Sequence, residues 1–164
     1  MNSILSKKQV VIVLFILVAA IIRLFPHLPN VTPITAMALF SGVYFTDKKY
    51  AFIIPLVAML LSDLVLGFSL ISFFVYAAFI LVGFIGINSK RISITSVLLS
   101  SVCFFIITNL GVWLLSYPKT ANGLLECYTL AIPFFRNALL GDLFYSAVMY
   151  FGFELVSKRY LETA

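Results

Sequence analysis

Residues Ile94 to Ser116 read ITSVLLSSVCFFIITNLGVWLLS, a run of 23 residues without a single charge. About 20 mostly apolar residues carry a helix across a hydrocarbon layer of about 30 Å. This stretch therefore decides the fold class: it is a membrane helix. Outward from it, the chain divides into further apolar runs, and six segments reach or approach spanning length. The expected helices are 9–25, 31–45, 50–66, 69–87, 94–116 and 136–156. The second is short because Pro29 and Pro33 fix where it can begin, and the approach from Pro26 to Thr32 is expected to be irregular. Gly67 suits the end of the third.

Composition agrees with one all-α polytopic membrane domain over residues 1–164. Of the chain, 63% is hydrophobic and only 10% charged, against about 25% charged residues in soluble domains. Mean hydropathy is +1.14. The first apolar run follows Lys7 and Lys8 but has no convincing cleavage site, so it reads as a retained helix rather than a signal peptide.

The charges set the topology. With six crossings, Lys7-Lys8, Lys48-Lys49, Lys90-Arg91 and Lys158-Arg159 all fall on one side. That is the positive-inside pattern, with both termini in the cytoplasm. These pairs, less Asp47, Glu154 and Glu162 beside them, account for the whole net charge of +5. The excess is thus a topology signal and a contact with anionic lipid, not a nucleic-acid surface.

Polar residues inside the apolar runs gather toward the other side, and ionisable groups in membrane helices point to function. Arg23 ends helix 1, Asp63 lies about one turn from the outer end of helix 3, and Asp142 lies about 9 Å into helix 6, which Arg136 opens. These four are expected at one depth, as a polar ligand site, as two buried ion pairs, or as both. His27 and Asn30 decorate the loop after helix 1. Asn109 and Trp113, four apart on helix 5, offer an amide and an aromatic surface. Cys127 falls in the long outer connection 117–135, expected to be an interfacial or re-entrant segment, since its apolar run 124–132 is too short to span. The expected ligand-binding set is Arg23, His27, Asn30, Asp63, Asn109, Trp113, Cys127 and Asp142. No catalytic residue, metal site or cofactor is expected: the two cysteines lack metal-ligand spacing, and no zinc-protease, Walker or nucleophile-elbow motif occurs.

Three stretches carry a resemblance: 23–45 (RLFPHLPNVTPITAMALFSGVYF), 55–67 (PLVAMLLSDLVLG) and 104–152, with TN, W, YP, GLxxCY, IPFF and GD in order. They resemble an uncharacterised family of small bacterial integral membrane proteins described as transport proteins. That family in turn is similar to the substrate-binding S components of energy-coupling-factor transporters, six-helix proteins that capture vitamins or metal ions from outside. The resemblance extends to solitary cobalamin transporters of this type, in which a cysteine coordinates cobalt; here only Cys127 is placed for such a part. One departure stands out. Many S components dock their partner through an AxxxA motif on helix 1, whereas here 9–17 reads QVVIVLFIL. The small residues Ala38 and Gly42 on helix 2 offer an alternative docking face.

The expected protein is therefore a non-enzymatic solute-capture and transport protein of the bacterial inner membrane. It would bind a vitamin-like solute, cobalamin among the candidates, in an outward pocket among helices 1, 3, 5 and 6. Active transport would need an ATPase-containing partner module. Two alternatives stay open: a membrane scaffold, in which the buried charges only fix packing, and an intramembrane enzyme.

Overall fold

The computed structural model describes residues 6–26 and 28–160. They form six helices and no strand: α1 Lys7–Ile22, α2 Ile34–Tyr44, α3 Lys48–Leu66, α4 Leu70–Asn88, α5 Ile94–Ser116 and α6 Ala121–Tyr160. Four of them, α3 to α6, are long and apolar enough to cross a membrane, which marks a multi-pass membrane protein.

Local chemistry sets most boundaries. Ser6 and Gln9 form a capping box ahead of α1. Asp47 accepts the Lys49 N–H at the start of α3, and Ser93 with Ser96 caps α5; each satisfies amide groups that a helix start leaves without partners. After α1, Leu24 and Phe25 bond back three residues to Ile21 and Ile22, a tightened last turn before Pro26. The chain then stays irregular, with Asn30 in the left-handed region at φ 63°, where asparagine is tolerated.

The helices alternate in direction. The ends of α1 and α3 meet at Arg23 and Ser62, the Ser41 hydroxyl reaches Ala51, Tyr76 reaches Asp63, Phe74 lies against Gly111 and Ser101 reaches Asp142, so successive helices run opposite ways. The four basic pairs consequently gather at one end of the bundle. Around the perimeter the order is α1, α3, α4, α5, α6, each touching the next and α6 closing on α1. The helix α2 stands inside this ring and touches all five others. Nine of its eleven residues are buried.

Two devices let α2 sit so deep. Gly42 meets α4 at Gly83 and Gly86, backbone to backbone: a Cβ on Gly86 would lie 2.6 Å from the Leu39 carbonyl oxygen. The Ala38 and Gly42 face is thus spent inside the bundle and is not free to dock a partner, which corrects that expectation. The second device repairs a defect. Pro55 lies within α3 and has no N–H to give the Ala51 carbonyl one turn back. The Ser41 hydroxyl of α2 donates to that same carbonyl at 2.6 Å.

The largest departure from expectation is α6. The connection after α5 is only Tyr117 to Thr120, and one helix of 40 residues follows, about 60 Å long. The stretch expected as an interfacial loop is its first third. Pro133 suggests a break in the sequence, but it forfeits a single helix bond, and neighbouring residues hold the helix through it. Thr120 accepts the Gly123 N–H at 3.1 Å, and Gly123, without a Cβ, lets the Pro118 carbonyl close over it. The upper part of α6 lies along α5, with Phe105 and Phe135 rings 4.6 Å apart. Its lower part joins the core through Phe153, packed on Phe15, Phe40 and Tyr44.

The pairing of Ser41 with the carbonyl freed by Pro55 is open to a double-mutant cycle. Ser41→Ala should cost about 1–3 kcal/mol by orphaning a buried carbonyl. In the Pro55→Ala background, where the helix itself supplies the donor, it should cost clearly less. Reversible unfolding in detergent measures both; equal costs in the two backgrounds would show that the hydroxyl does not serve this carbonyl.

Candidate functional site

The short α2 fills only the half of the ring nearer the basic end. Above its first residues lies a cavity of about 510 Å³, within the range of small-molecule sites. Its floor is Ile34, Thr35, Ser101 and Asp142. Ile71 and Val75 of α4 form one wall, and Phe104, Phe105, Thr108, Asn109 and Val112 of α5 a second. The upper part of α6 supplies a third with Cys127, Leu130, Ala131, Phe134, Phe135 and Ala138. Arg23, Asn30 and Thr32 of the α1–α2 connection complete it. The lining is mainly apolar and aromatic with a few polar groups, the usual make-up of a solute site.

Sequence and placement connect at the floor. Gly141 lets the connection approach α6, since a Cβ there would meet Val31 at 3.1 Å. The next residue, Asp142, is thereby brought against the start of α2. It is only 4% exposed, and its carboxyl group is hydrogen-bonded by Ser101 at 2.7 Å and by Thr35. The Ser101 hydroxyl is also 3.0 Å from the Val97 carbonyl. Its one proton serves one acceptor at a time. The pair thus accommodates either an ionised carboxylate, to which Ser101 donates, or a carboxylic acid, from which Ser101 accepts.

Arg23 and Asp63 form the ion pair that the expected shared depth allowed. Their side chains are 13% and 4% exposed. The guanidinium also donates to Ser62, and the Tyr76 hydroxyl donates to the second Asp63 oxygen at 2.7 Å. Such a fully partnered cluster offsets the cost of burying both charges. The second expected pair does not form. Arg136 is exposed on α6 and makes no ion pair among the described residues, because its side of the helix faces away from the Asp142 floor.

Of the eight expected ligand residues, five share this cavity: Arg23, Asn30, Asn109, Cys127 and Asp142. Asp63 stands behind Arg23 and holds it. Trp113 is outside: its indole N–H donates to the Pro118 carbonyl at 3.0 Å and its ring lies beneath the Lys119 ammonium, so it fastens the α5–α6 turn. His27 lies outside the described residues. Cys127 is not in a loop; it is 2% exposed on α6 and its thiol approaches the Asn109 backbone carbonyl at 3.6 Å, not the side-chain one. The Asn109 amide donates to Phe105 on its own helix at 2.8 Å, which leaves its carbonyl oxygen for another partner. The expected contribution of helix 3 to the walls is taken by α4. No cluster of three metal-binding side chains occurs among the described residues. Thr35, Ser101, Phe104 and Phe105 were not singled out from the sequence, and Phe134 and Phe135 only as part of the IPFF motif. Their only signal there is a hydroxyl or aromatic ring among dozens of similar apolar-run residues.

The chain belongs to a family of unknown function, DUF6580, whose pattern matches residues 3–163. No curated protein and no solved structure matches it.

Breaking the Arg23–Asp63 pair from one side should destabilise the protein strongly. Asp63→Leu leaves a buried guanidinium uncompensated, at a cost of about 3–5 kcal/mol. Adding Arg23→Leu should recover a large part of that loss. Unfolding of both single variants and the double variant tests this; a double variant as unstable as the sum of both singles would mean the charges act independently.

Proposed function

We propose that this protein captures a small solute from outside the cell in the cavity above α2, as a binding and transport protein of S-component type. The observation that carries the reading is the cavity itself. A helix bundle held only for scaffolding has no reason to stop its central helix short and line the space with four phenylalanines, two asparagines and a buried acid. In this reading the chain passes through the bacterial inner membrane six times, the short α2 filling only the half nearer the basic pairs, and those pairs and both termini lie in the cytoplasm. The cavity then lies at the outer end. The upper part of α6 is a wall of the site, and Trp113 with Lys119 ties it to α5.

The volume favours a solute of ordinary vitamin size over a corrinoid, and the buried Cys127 thiol is poorly presented to a cobalt ion. Release to the cytoplasm requires the ring to open around α2. The chain has no Walker loop, so active uptake by this reading calls on an ATPase-containing partner, docked on a face other than Ala38 and Gly42.

A thermal-shift screen of the purified protein in mild detergent tests solute capture. Vitamins, nucleobases, amino acids and amines form the panel. A ligand held only by the folded state at 100 times its Kd adds about 2.7 kcal/mol. Stabilisation by a hit should disappear in Ala138→Trp, which fills the cavity from α6, while the unliganded variant stays folded. A shift unchanged by Ala138→Trp would place the ligand elsewhere.

A further inference from the structure

Charge accounting within the cavity narrows the solute. Two ionisable groups of opposite type line it, Arg23 and Asp142. They are not equivalent. The Arg23 charge is already matched by Asp63, with Ser62 and Tyr76 completing the cluster. Asp142 has only hydroxyl partners, Ser101 and Thr35, and makes no ion pair among the described residues. The dipole at the start of α2 brings at most about half a positive charge near it.

A buried carboxylate without a cation is costly in any protein interior. Two remedies exist: a proton on the carboxyl group or a cation beside it. The Ser101 hydroxyl, able to donate to Asp142 or to Val97, fits either form without moving a heavy atom. Phe104, Phe105, Phe134 and Phe135 also line the cavity that holds the acid. Aromatic surfaces accept a flat apolar body by stacking and attract a positive group by their quadrupoles.

We infer that the solute is a small organic cation with a flat apolar body, whose positive group replaces the missing counter-charge of Asp142. This rests on the solute-capture reading and names the substrate class for that site. It excludes anionic solutes, since the cavity's one arginine is already neutralised. Asp142 is the specificity-determining residue. Asn109, with a free carbonyl oxygen higher on the wall, is placed to accept from a donor on the same molecule.

Matched probes test the inference directly. 2-Phenylethylamine and tryptamine are compared with the alcohols and carboxylates built on the same rings, by equilibrium dialysis and thermal shift on the detergent-purified full chain. The ammonium member of each set should bind about tenfold or more tighter than its hydroxyl counterpart, and the carboxylate should not bind. Asp142→Asn should abolish the preference for the ammonium member, whereas Arg136→Gln, at an exposed position on α6 outside the cavity lining, should retain it. The comparison on the unaltered protein needs no variant to fold. Equal or tighter binding of an alcohol or carboxylate overturns this inference and leaves solute capture standing. Silence of the ammonium probes beside a hit from a neutral or anionic compound of the wider panel does the same. Silence of every compound in both panels overturns the inference together with solute capture.

Discussion

A helix of eleven residues bears the weight of this architecture. The central α2 is surrounded on every side by the other five helices, yet at 1.5 Å per residue it is only about 16 Å long, half the thickness of a hydrocarbon layer. A ring of longer helices closed around so short an axle has to leave space at one end. Pro33 prevents α2 from extending upward, and the cavity occupies the volume it does not reach. Close approach at Gly42, Gly83 and Gly86 fixes how deep α2 sits. Its Ser41 hydroxyl satisfies the carbonyl that Pro55 frees on α3. Moving α2 outward would break both contacts at once.

The polar groups are ordered by the same constraint. Arg23 and Asp63 close the cavity end of the bundle between α1 and α3 as a complete cluster. Asp142 is drawn to the mouth of α2 by the approach of the connecting chain to Gly141. One acid is therefore matched within the protein and the other is met only by hydroxyls. The similar stretches LLSDL (60–64) and LLGDL (139–143) thus carry their aspartates into different environments, a result of which neighbour each helix faces. That asymmetry is the basis for assigning a positive charge to the solute.

The sequence was legible wherever local chemistry decides. The bounds of α5 follow from its charge-free apolar run, and they agree with the structure residue for residue. Gathering of the basic pairs at one end follows from alternation of apolar runs. Five of the eight expected ligand residues meet in one cavity, because polar groups in apolar helices avoid lipid and collect inside. The failures have equally specific causes. The run 124–132, between Gly123 and Pro133, is too short to span by itself, but Gly123 serves a helix start and the rest of α6 holds the helix through Pro133. Arg136 and Asp142 share a depth without sharing a face. The inward burial of Ala38 and Gly42 depends on α4 glycines far along the chain, which no local pattern announces.

The claim that carries everything else is that the space above α2 is open to the outer side while the helix below it is sealed. Cysteine accessibility in intact cells measures this. In a background with Cys103→Ala and Cys127→Ser, Thr108→Cys on the cavity wall should react with an impermeant thiol reagent added from outside. Ala38→Cys, 1% exposed in the core, should react only after the protein is unfolded. Reaction of Ala38→Cys in the folded protein, or of Thr108→Cys from the cytoplasmic side alone, would contradict the account.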